Sequence, residues 1–191
     1  MKKILIGTHN PGKFREIAYL ISKKFKKISP VTLKIKSPKE TGKTFESNSK
    51  LKANFFSNFV NFPVISDDSG LCIKSLKNAP GVYSARLAKK KGSFYNAMKY
   101  ILKKLKLKKN RSAFFVCNLT YKSQDGKLIN VQGKIYGKIS NKILGKNGFG
   151  YDPIFIPNSY KETYGQMKKR EKMKIDHRYL AFKKLRKKIN I

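Results

Sequence analysis

The chain has 191 residues with 40% hydrophobic and 12% aromatic content, enough to bury one core, which predicts a single domain over residues 1–191. Its 45 Lys and Arg against 10 Asp and Glu give a net charge of +35, yet the lysines are dispersed through nearly every segment, which does not favour a dedicated nucleic-acid interface. No apolar run reaches the roughly 20 residues that cross a bilayer, and two cysteines in apolar settings argue against a disulfide framework, so we expect a cytoplasmic protein with no membrane partner.

The N-terminal part of the chain predicts alternating strands and helices. Asn10 is a good N-cap, and Pro11 suits the first position of a helix whose apolar residues then recur at helical spacing. Thr44 is a similar N-cap for a second helix. The apolar runs predict strands at residues 3–7, 31–35, 64–67 and 71–75.

The C-terminal part predicts a helix, a hairpin and a closing strand and helix. Residues 94–105 place six apolar side chains on one helical face, which indicates core packing. The turn signal at 123–126 separates two strand-like runs, as in an antiparallel hairpin. The remaining predicted elements are strands at 113–121, 128–136 and 153–156 and a helix from Asp176. Helices that interleave with strands around a hairpin predict a mixed sheet in an α/β fold with some α+β character.

The segment Thr8-His9-Asn10-Pro11-Gly12-Lys13 has the parts of a phosphate-binding loop. It combines backbone N–H groups at a helix N-terminus, a glycine that permits close approach, and a lysine. It matches neither the P-loop pattern nor the glycine pattern of a dinucleotide-binding turn. An ordinary strand-to-helix turn has the same composition, so the residues alone leave both interpretations open.

Asp67 and Asp68 are adjacent carboxylates at the end of a short apolar run. Carboxylate oxygens are ligands that Mg²⁺ prefers, and one of the two could also deprotonate a water molecule. The alternative is a strand that ends in a turn, with both side chains bonded to local backbone N–H groups. The two histidines are far apart and have no cysteine companions, which argues against zinc.

The segment Gly148-Phe149-Gly150-Tyr151-Asp152-Pro153 joins two flexible glycines to two aromatic rings and a carboxylate. A purine base could stack on Phe149, and Asp152 could accept hydrogen bonds from its ring nitrogens or amines. A structural turn that packs its aromatic rings into the core is the alternative.

Asp176-His177-Arg178 predicts a helix start, with Asp176 as the N-cap. His177 and Arg178 then fall in the first turn of that helix. Two hydrogen-bond donors would point into whatever lies at this helix end.

Taken together and in this order, these segments resemble the inosine triphosphate pyrophosphatase family, also called the Ham1 family. The resemblance covers nearly the whole chain and rests on six segments. They are residues 8–13, Thr41-Gly42-Lys43-Thr44-Phe45 with Asn48 and Lys52, residues 66–71, residues 79–86, residues 148–153, and Lys172 with His177-Arg178.

The resemblance implies hydrolysis of deaminated purine nucleoside triphosphates, ITP, dITP and XTP, to the monophosphate and pyrophosphate. It also implies a Mg²⁺-dependent homodimer with an elongated mixed sheet, flanked by helices, and two lobes with the substrate in a cleft. Asp68 matches the catalytic base, and the implied metal ligands are Asp68, Asp67 and Glu40. The implied substrate-binding residues are Thr8, His9, Asn10, Pro11, Gly12, Lys13, Lys52, Ser69, Phe149, Gly150, Tyr151, Asp152, Lys172, His177 and Arg178.

The chain departs from the family pattern near the implied metal ligands. Two acids usually precede the Thr-Gly of the second motif, where this chain has Lys39-Glu40, and the usual metal glutamate matches Lys39. Ser47 stands where an acid often precedes Asn48. We expect Glu40 or Glu46 to substitute for the missing acid.

Two other functions compete with this one. A Maf-like pyrophosphatase acting on dTTP or UTP uses similar phosphate chemistry, but its Ser-x-Arg-Arg start is absent, since the chain reads Thr-His-Asn-Pro from residue 8. A catalytically weak nucleic-acid-binding protein would draw on the charge of +35 and would show steeply salt-dependent affinity without triphosphate turnover.

Overall fold

A computed structural model describes residues 1–189 and 191 as seven strands and six α-helices. The strands are Lys2–Ile6 (β1), Phe25–Ile28 (β2), Val64–Ile73 (β3), Ala79–Pro80 (β4), Ser112–Lys122 (β5), Leu128–Ile139 (β6) and Phe155–Pro157 (β7). The helices are Pro11–Leu20 (α1), Phe45–Ser57 (α2), Ser84–Lys90 (α3), Phe94–Lys104 (α4), Lys169–Lys172 (α5) and His177–Arg186 (α6).

All seven strands belong to one mixed sheet with the order β2-β1-β3-β5-β6-β7, and β4 pairs with β3. Strand β1 runs parallel to β2 and β3, whereas the β3–β4 and β6–β7 pairs are antiparallel. Strands β5 and β6 are neighbours joined by a short turn, as the predicted hairpin requires. The prediction of a mixed α/β fold is confirmed.

The chain divides into two compact units. Unit 1 comprises residues 1–68, 117–133 and 178–191, and unit 2 comprises residues 69–116 and 134–177. The chain passes from one unit to the other within β3, β5, β6 and α6. The single domain over 1–191 stays a prediction.

The core of unit 1 forms on both faces of its strands. On one face, the side chains of Ile4, Ile6 and Ile65 cluster with apolar residues of α1 and α6. On the other face, Leu5 and Val64 pack against Phe56 of α2, whose side chain is fully buried. Successive residues of a strand point to opposite faces, so one buried strand serves both clusters.

A ladder of uncharged side chains holds α2 against β5 and β6. The Ser49 and Thr120 hydroxyls are 2.8 Å apart, and Asn130 Nδ2 donates to both of them, at 3.1 and 2.7 Å. The row continues with Asn118 donating to Asn130 Oδ1 and Gln132 donating to Asn118 Oδ1, each at 2.9 Å. Because every buried group here has a partner, the ladder gives α2 a defined position.

Unit 2 has a core of its own, built around the apolar face of α4. Met98 and Ile101 of that helix are buried with Leu71, Phe115 and Tyr164. The predicted helix over 94–105 is therefore confirmed, and its apolar face is core, as expected.

The predicted helix starts are also confirmed. Asn10 caps α1 by accepting the Lys13 N–H at 3.0 Å, with Pro11 as the first helical residue. Thr44 caps α2 and forms a capping box with Ser47. Helix α6 begins at His177, directly after Asp176.

The strand expected at 31–35 is wrong. Residues 31–34 form a turn in which the Lys34 N–H donates to the Val31 carbonyl at 3.1 Å and Lys34 has a φ of 55°. Val31 is 60% exposed, because its apolar side chain has no sheet to join. The second strand instead lies at 25–28, where it pairs in parallel with β1.

The region around the two adjacent aspartates also differs from expectation. Instead of two strands separated by a turn, residues 64–73 form one continuous strand, nearly all of it buried. The local-turn interpretation of Asp67 and Asp68 is therefore wrong. The closing strand, expected at 153–156, is shifted to 155–157 because residues 152–154 form a 3-10 turn.

Cys72 and Cys117 are both buried, and they do not form a disulfide with each other. Burial raises the pKa of the Cys72 thiol to about 11, which disfavours a reactive thiolate. Within residues 1–189 and 191, no helix is both long and apolar enough to span a membrane.

Removal of the Phe56 ring should test how α2 is held on the sheet. We expect Phe56→Ala to lower the free energy of unfolding by about 3–5 kcal/mol, because the fully buried ring leaves a cavity beside Leu5 and Val64. Phe59→Ala is the matched control, since Phe59 is 54% exposed, and its effect should stay below about 1 kcal/mol. Urea unfolding measures both, and equal losses would contradict the assigned packing.

Candidate active site

The site begins with two neighbouring carboxylates on strand β3. Asp67 is fully buried and Asp68 is 4% exposed. Because successive strand residues face opposite sides of a sheet, the two side chains serve different surroundings. Asp67 shares its face with Ile65, α1 and α6, whereas Asp68 shares its face with Val64 and α2.

Asp67 lies between two cations in the interior of unit 1. Its Oδ2 is 3.1 Å from Lys13 Nζ and 3.6 Å from Arg178 Nε. Arg178 also donates from a terminal guanidinium nitrogen to Glu16 Oε2 at 2.9 Å. Burial alone would raise the pKa of Asp67, but Lys13 and Arg178 outweigh it and hold that pKa well below its usual range. Asp67 is therefore a fixed negative charge that orients both cations.

Asp68 has a less strongly compensated environment. Its Oδ2 accepts from Asn48 Nδ2 at 3.0 Å, and its Oδ1 is 3.8 Å from Lys52 Nζ. Burial raises the pKa of the Asp68 carboxyl and outweighs the opposing effect of Lys52 and Lys13. A carboxylate with a raised pKa is a better proton acceptor, as a general base requires.

Lys52 connects Asp68 to a second carboxylate. Its ammonium group lies 2.6 Å from Glu40 Oε1 and is itself nearly buried. Burial alone would lower the pKa of Lys52, but Asp68, Asp67 and Glu40 together raise it. Lys52 thus carries its positive charge beside two acids, in the part of the site where an anionic substrate would need it.

The segment from Thr8 to Lys13 forms the N-terminus of α1. The Asn10 N–H donates to Thr8 Oγ1 at 3.2 Å, and the ring of the exposed His9 hydrogen-bonds to the Ile35 carbonyl at 2.9 Å. Gly7, just before this segment, lies so close to Phe56 that a Cβ would be 2.6 Å from its ring. Pro11 has no N–H and the Lys13 N–H is bonded to Asn10, so the partial positive charge suited to a phosphate comes from the helix dipole and the other N–H groups of residues 9–12.

In unit 2, residues 148–152 form a tight turn around the Asp152 carboxylate. Gly148 has a φ of 74°, and a side chain there would collide with Asp152. Asp152 Oδ2 accepts the Phe149 N–H at 2.8 Å and the Lys172 ammonium group at 2.5 Å. Lys172 also lies 4.9 Å from the centroid of the Phe149 ring, a cation–π distance.

His177 is a second member of the unit 2 set. Its ring stacks on Phe115, with centroids 4.8 Å apart and planes 10° apart. Tyr151, by contrast, is a core residue, since it is 2% exposed and its hydroxyl donates to the Ser84 carbonyl at 2.8 Å. Stacking fixes the plane of the His177 ring and hence the directions in which its nitrogens can bond.

The structure therefore groups the sequence-predicted residues into two sets. In unit 1 the contacts join Asp67 to Lys13 and Arg178 on one face of β3, and they join Lys52 to Glu40 and Asp68 on the other. In unit 2 they join Phe149, Asp152 and Lys172, with His177 stacked separately on Phe115. Ser69 follows Asp68 in β3 and is half-buried.

Sequence reasoning missed two residues that shape these sets. Glu16 holds Arg178, and its signal was available, since an acid on the buried face of α1 in a chain with so few acids needs a buried cation. Phe115, the stacking partner of His177, is one of many strand aromatics in the sequence. Nothing in its local pattern distinguishes it.

The donor set suits a hard divalent cation better than a soft one. Among the residues that the structure describes, no three His, Cys, Asp or Glu side chains form a metal-binding group. Asp68 and Glu40, however, both approach Lys52 Nζ, at 3.8 and 2.6 Å, so their carboxylates lie close to each other. One or two carboxylates together with substrate phosphates are the usual ligands of Mg²⁺ in nucleotide sites.

Comparison with known proteins agrees with this geometry along almost the whole chain. The model of the Ham1 family matches residues 4–188. A dITP/XTP pyrophosphatase of Exiguobacterium sp. is 40% identical over 187 residues, which are 96% of this chain and 94% of that protein. A dITP/XTP pyrophosphatase of Caulobacter vibrioides is 37% identical over 186 residues, 96% of each chain.

Solved structures give the same result. The Staphylococcus aureus Ham1 protein superposes with a TM-score of 0.86 at 34% identity, covering 97% of both chains. A HAM1 protein from Coxiella burnetii has a TM-score of 0.87 at 33% identity, covering 97% of this chain and 96% of that one. With its fold, its paired carboxylates and its full-length sequence match in agreement, this chain belongs to the Ham1 family.

Proposed function

We propose that this protein hydrolyses deaminated purine nucleoside triphosphates, dITP, ITP and XTP, to the nucleoside monophosphate and pyrophosphate. The observation that carries the proposal is the buried Asp68 next to Lys52, on a strand that pairs with β1, the strand that leads into the N-terminus of α1. The names of the full-length relatives support the same reaction.

In the proposed reaction, a water molecule attacks the α-phosphorus and the bond to the bridging oxygen of pyrophosphate breaks. Asp68 accepts a proton from the attacking water, and the new P–O bond completes the monophosphate. Lys52, Lys13 and the N–H groups at the start of α1 compensate the charge that spreads over the phosphate oxygens. Pyrophosphate leaves as the second product.

Mg²⁺ is the proposed cofactor, with Asp68 and Glu40 as its protein ligands. When bound, a divalent cation would neutralise phosphate charge and orient the triphosphate. Asp67 was expected as a third ligand, but its carboxylate is fully buried between Lys13 and Arg178, so we assign it to those ion pairs. The usual metal glutamate of the family matches Lys39 in this chain. We therefore assign its role to the neighbouring Glu40.

Recognition of the base is assigned to Phe149, Asp152, Lys172, His177 and Arg178. The ring of Phe149 offers a stacking surface, and the Asp152–Lys172 pair keeps the turn that carries it in place. Hypoxanthine and xanthine have an oxo group at position 6, which accepts a hydrogen bond from His177, since the Arg178 guanidinium is already paired with Glu16 and Asp67. Adenine has an amine there, so a donor would face a donor and both would lose a partner.

The nucleic-acid alternative finds no support in the charge distribution. Unit 1 has 22 lysines and arginines against six acids, and unit 2 has 23 against four, so the positive charge is shared almost evenly and not concentrated on one part of the chain. The homodimer and the cytoplasmic location stay predictions.

The role of Asp68 can be tested with a change of one atom. We expect Asp68→Asn to lower kcat for ITP by at least about 100-fold with little change in melting temperature, because the amide cannot accept the proton. Asp125→Asn, in the exposed turn between β5 and β6, is the matched control and should keep wild-type turnover. Near wild-type pyrophosphate release by Asp68→Asn would remove this residue from the mechanism.

Substrate selectivity can be tested with a panel of ITP, XTP, GTP, ATP, dTTP and UTP. We expect kcat/KM for ITP and XTP to exceed that for ATP by up to about 10⁴-fold. A protein donor that is matched to the 6-oxo group would face the 6-amino group of adenine, and neither donor would have an acceptor. Equal values for ITP and ATP would contradict the proposed recognition. Turnover of dTTP or UTP with inert ITP would favour the Maf-like alternative.

The metal requirement can be tested by chelation. We expect EDTA to abolish pyrophosphate release from ITP and added Mg²⁺ to restore it, because the carboxylates of Asp68 and Glu40 would repel the triphosphate without a divalent cation between them. Glu40→Gln should raise the Mg²⁺ concentration for half-maximal rate by about 10-fold, as expected for a lost charged ligand. Glu46→Gln, which changes an exposed acid on α2, is the control. Full activity in EDTA would exclude the metal.

A further inference from the structure

Asn48 makes two hydrogen bonds in opposite directions from a fully buried position on α2. Its Oδ1 accepts the Gly42 N–H at 2.8 Å, and its Nδ2 donates to Asp68 Oδ2 at 3.0 Å. One short side chain therefore connects the segment before α2 to the carboxylate on β3.

The segment at residues 40–44 is closely docked on the start of α2. A Cβ on Gly42 would lie 2.5 Å from Asn48 Oδ1 and would collide with Ser47, so only glycine permits this approach. Glu40 lies two residues before Gly42 and reaches Lys52 Nζ at 2.6 Å. The position of the Glu40 backbone thus depends on the bond between Gly42 and Asn48.

The primary amide of Asn48 satisfies both of its neighbours at once. The Gly42 N–H needs an acceptor and the Asp68 carboxylate needs a donor, and an asparagine supplies one of each in a fixed geometry. Lys52 also contacts Glu40 and Asp68, but its ammonium group lies at the end of a flexible chain and fixes distance poorly.

We propose that Asn48 is a positioning residue that holds the Glu40 segment in register with Asp68, so that both carboxylates can serve one divalent cation. This role rests on the proposed pyrophosphatase function. Asn48 acts indirectly, through the positions of Glu40 and Asp68.

Three variants separate the two bonds. Asn48→Leu has nearly the same size and loses both bonds, whereas Asn48→Asp, assayed at pH 8.5, keeps the acceptor for Gly42 and loses the donor for Asp68. Gly42→Ala disturbs the segment and leaves residue 48 unchanged. Asn54→Leu, the same substitution at an exposed position of α2, is the matched control.

The first measurement is hydrogen exchange of residues 38–44, made without nucleotide or metal. We expect Asn48→Leu and Gly42→Ala to accelerate exchange in this segment by about 10-fold or more, with β3 unchanged, and Asn48→Asp and Asn54→Leu to leave it protected. Wild-type protection in Asn48→Leu, or faster exchange throughout unit 1, would overturn the proposal, since Asn48 would then be either dispensable or a general stability residue.

The second measurement is the Mg²⁺ concentration for half-maximal pyrophosphate release from ITP. It should rise about 10-fold in Asn48→Leu and Gly42→Ala, and Asn48→Leu should add little to Glu40→Gln, because residues that act through one another are not additive. Fully additive effects would overturn the proposal. If the wild-type protein releases no pyrophosphate, the proposed function fails, and the exchange measurement still decides whether Asn48 docks the segment.

Discussion

The alternation of side chains along β3 is the constraint on which the rest of the site depends. Two aspartates that are adjacent in sequence are forced to opposite faces of a buried strand, where each needs its own positive partners. Asp67 is paired with Lys13 and Arg178, and Asp68 approaches Lys52. Because these cations come from α1, α6 and α2, the demand for charge pairing determines which helices meet the strand.

The same constraint divides the chemistry between the two aspartates. Asp67 is held ionised by strong pairing, so it contributes geometry and charge but no proton exchange. For Asp68, the effect of burial on the pKa outweighs that of the neighbouring cations, so its carboxylate is the more basic of the two. At least six of the ten acids in the chain take part in ion pairs, which shows how much of its scarce negative charge is used in fixing cations.

Short sequence patterns correctly predicted the helix starts and the helix face that depend on neighbouring residues alone. The Asn10-Pro11 cap, the Thr44 cap and the apolar face of 94–105 each act within a few residues, and all three appear where expected. The errors fall where tertiary contacts override local preference. Ser66 to Gly70 has turn-forming residues yet continues a strand, because pairing and burial on both faces outweigh propensity. Likewise, the buried position of Glu16 indicates that it needs a cation, but nothing in the sequence identifies Arg178, 162 residues away, as that cation.

The row of hydroxyl and amide groups that joins α2 to β5 and β6 has one property that the rest of the site lacks. It contains no ionised group, so ionic strength and pH within the physiological range do not weaken it, whereas an exposed ion pair on the same helix, such as Glu46–Lys50, is screened by salt. In a polypeptide this cationic, dissolved counterions gather at the surface and their concentration varies with the medium. Because uncharged hydrogen bonds hold α2 on β5 and β6, the position of Lys52 does not depend on the salt concentration of the solution.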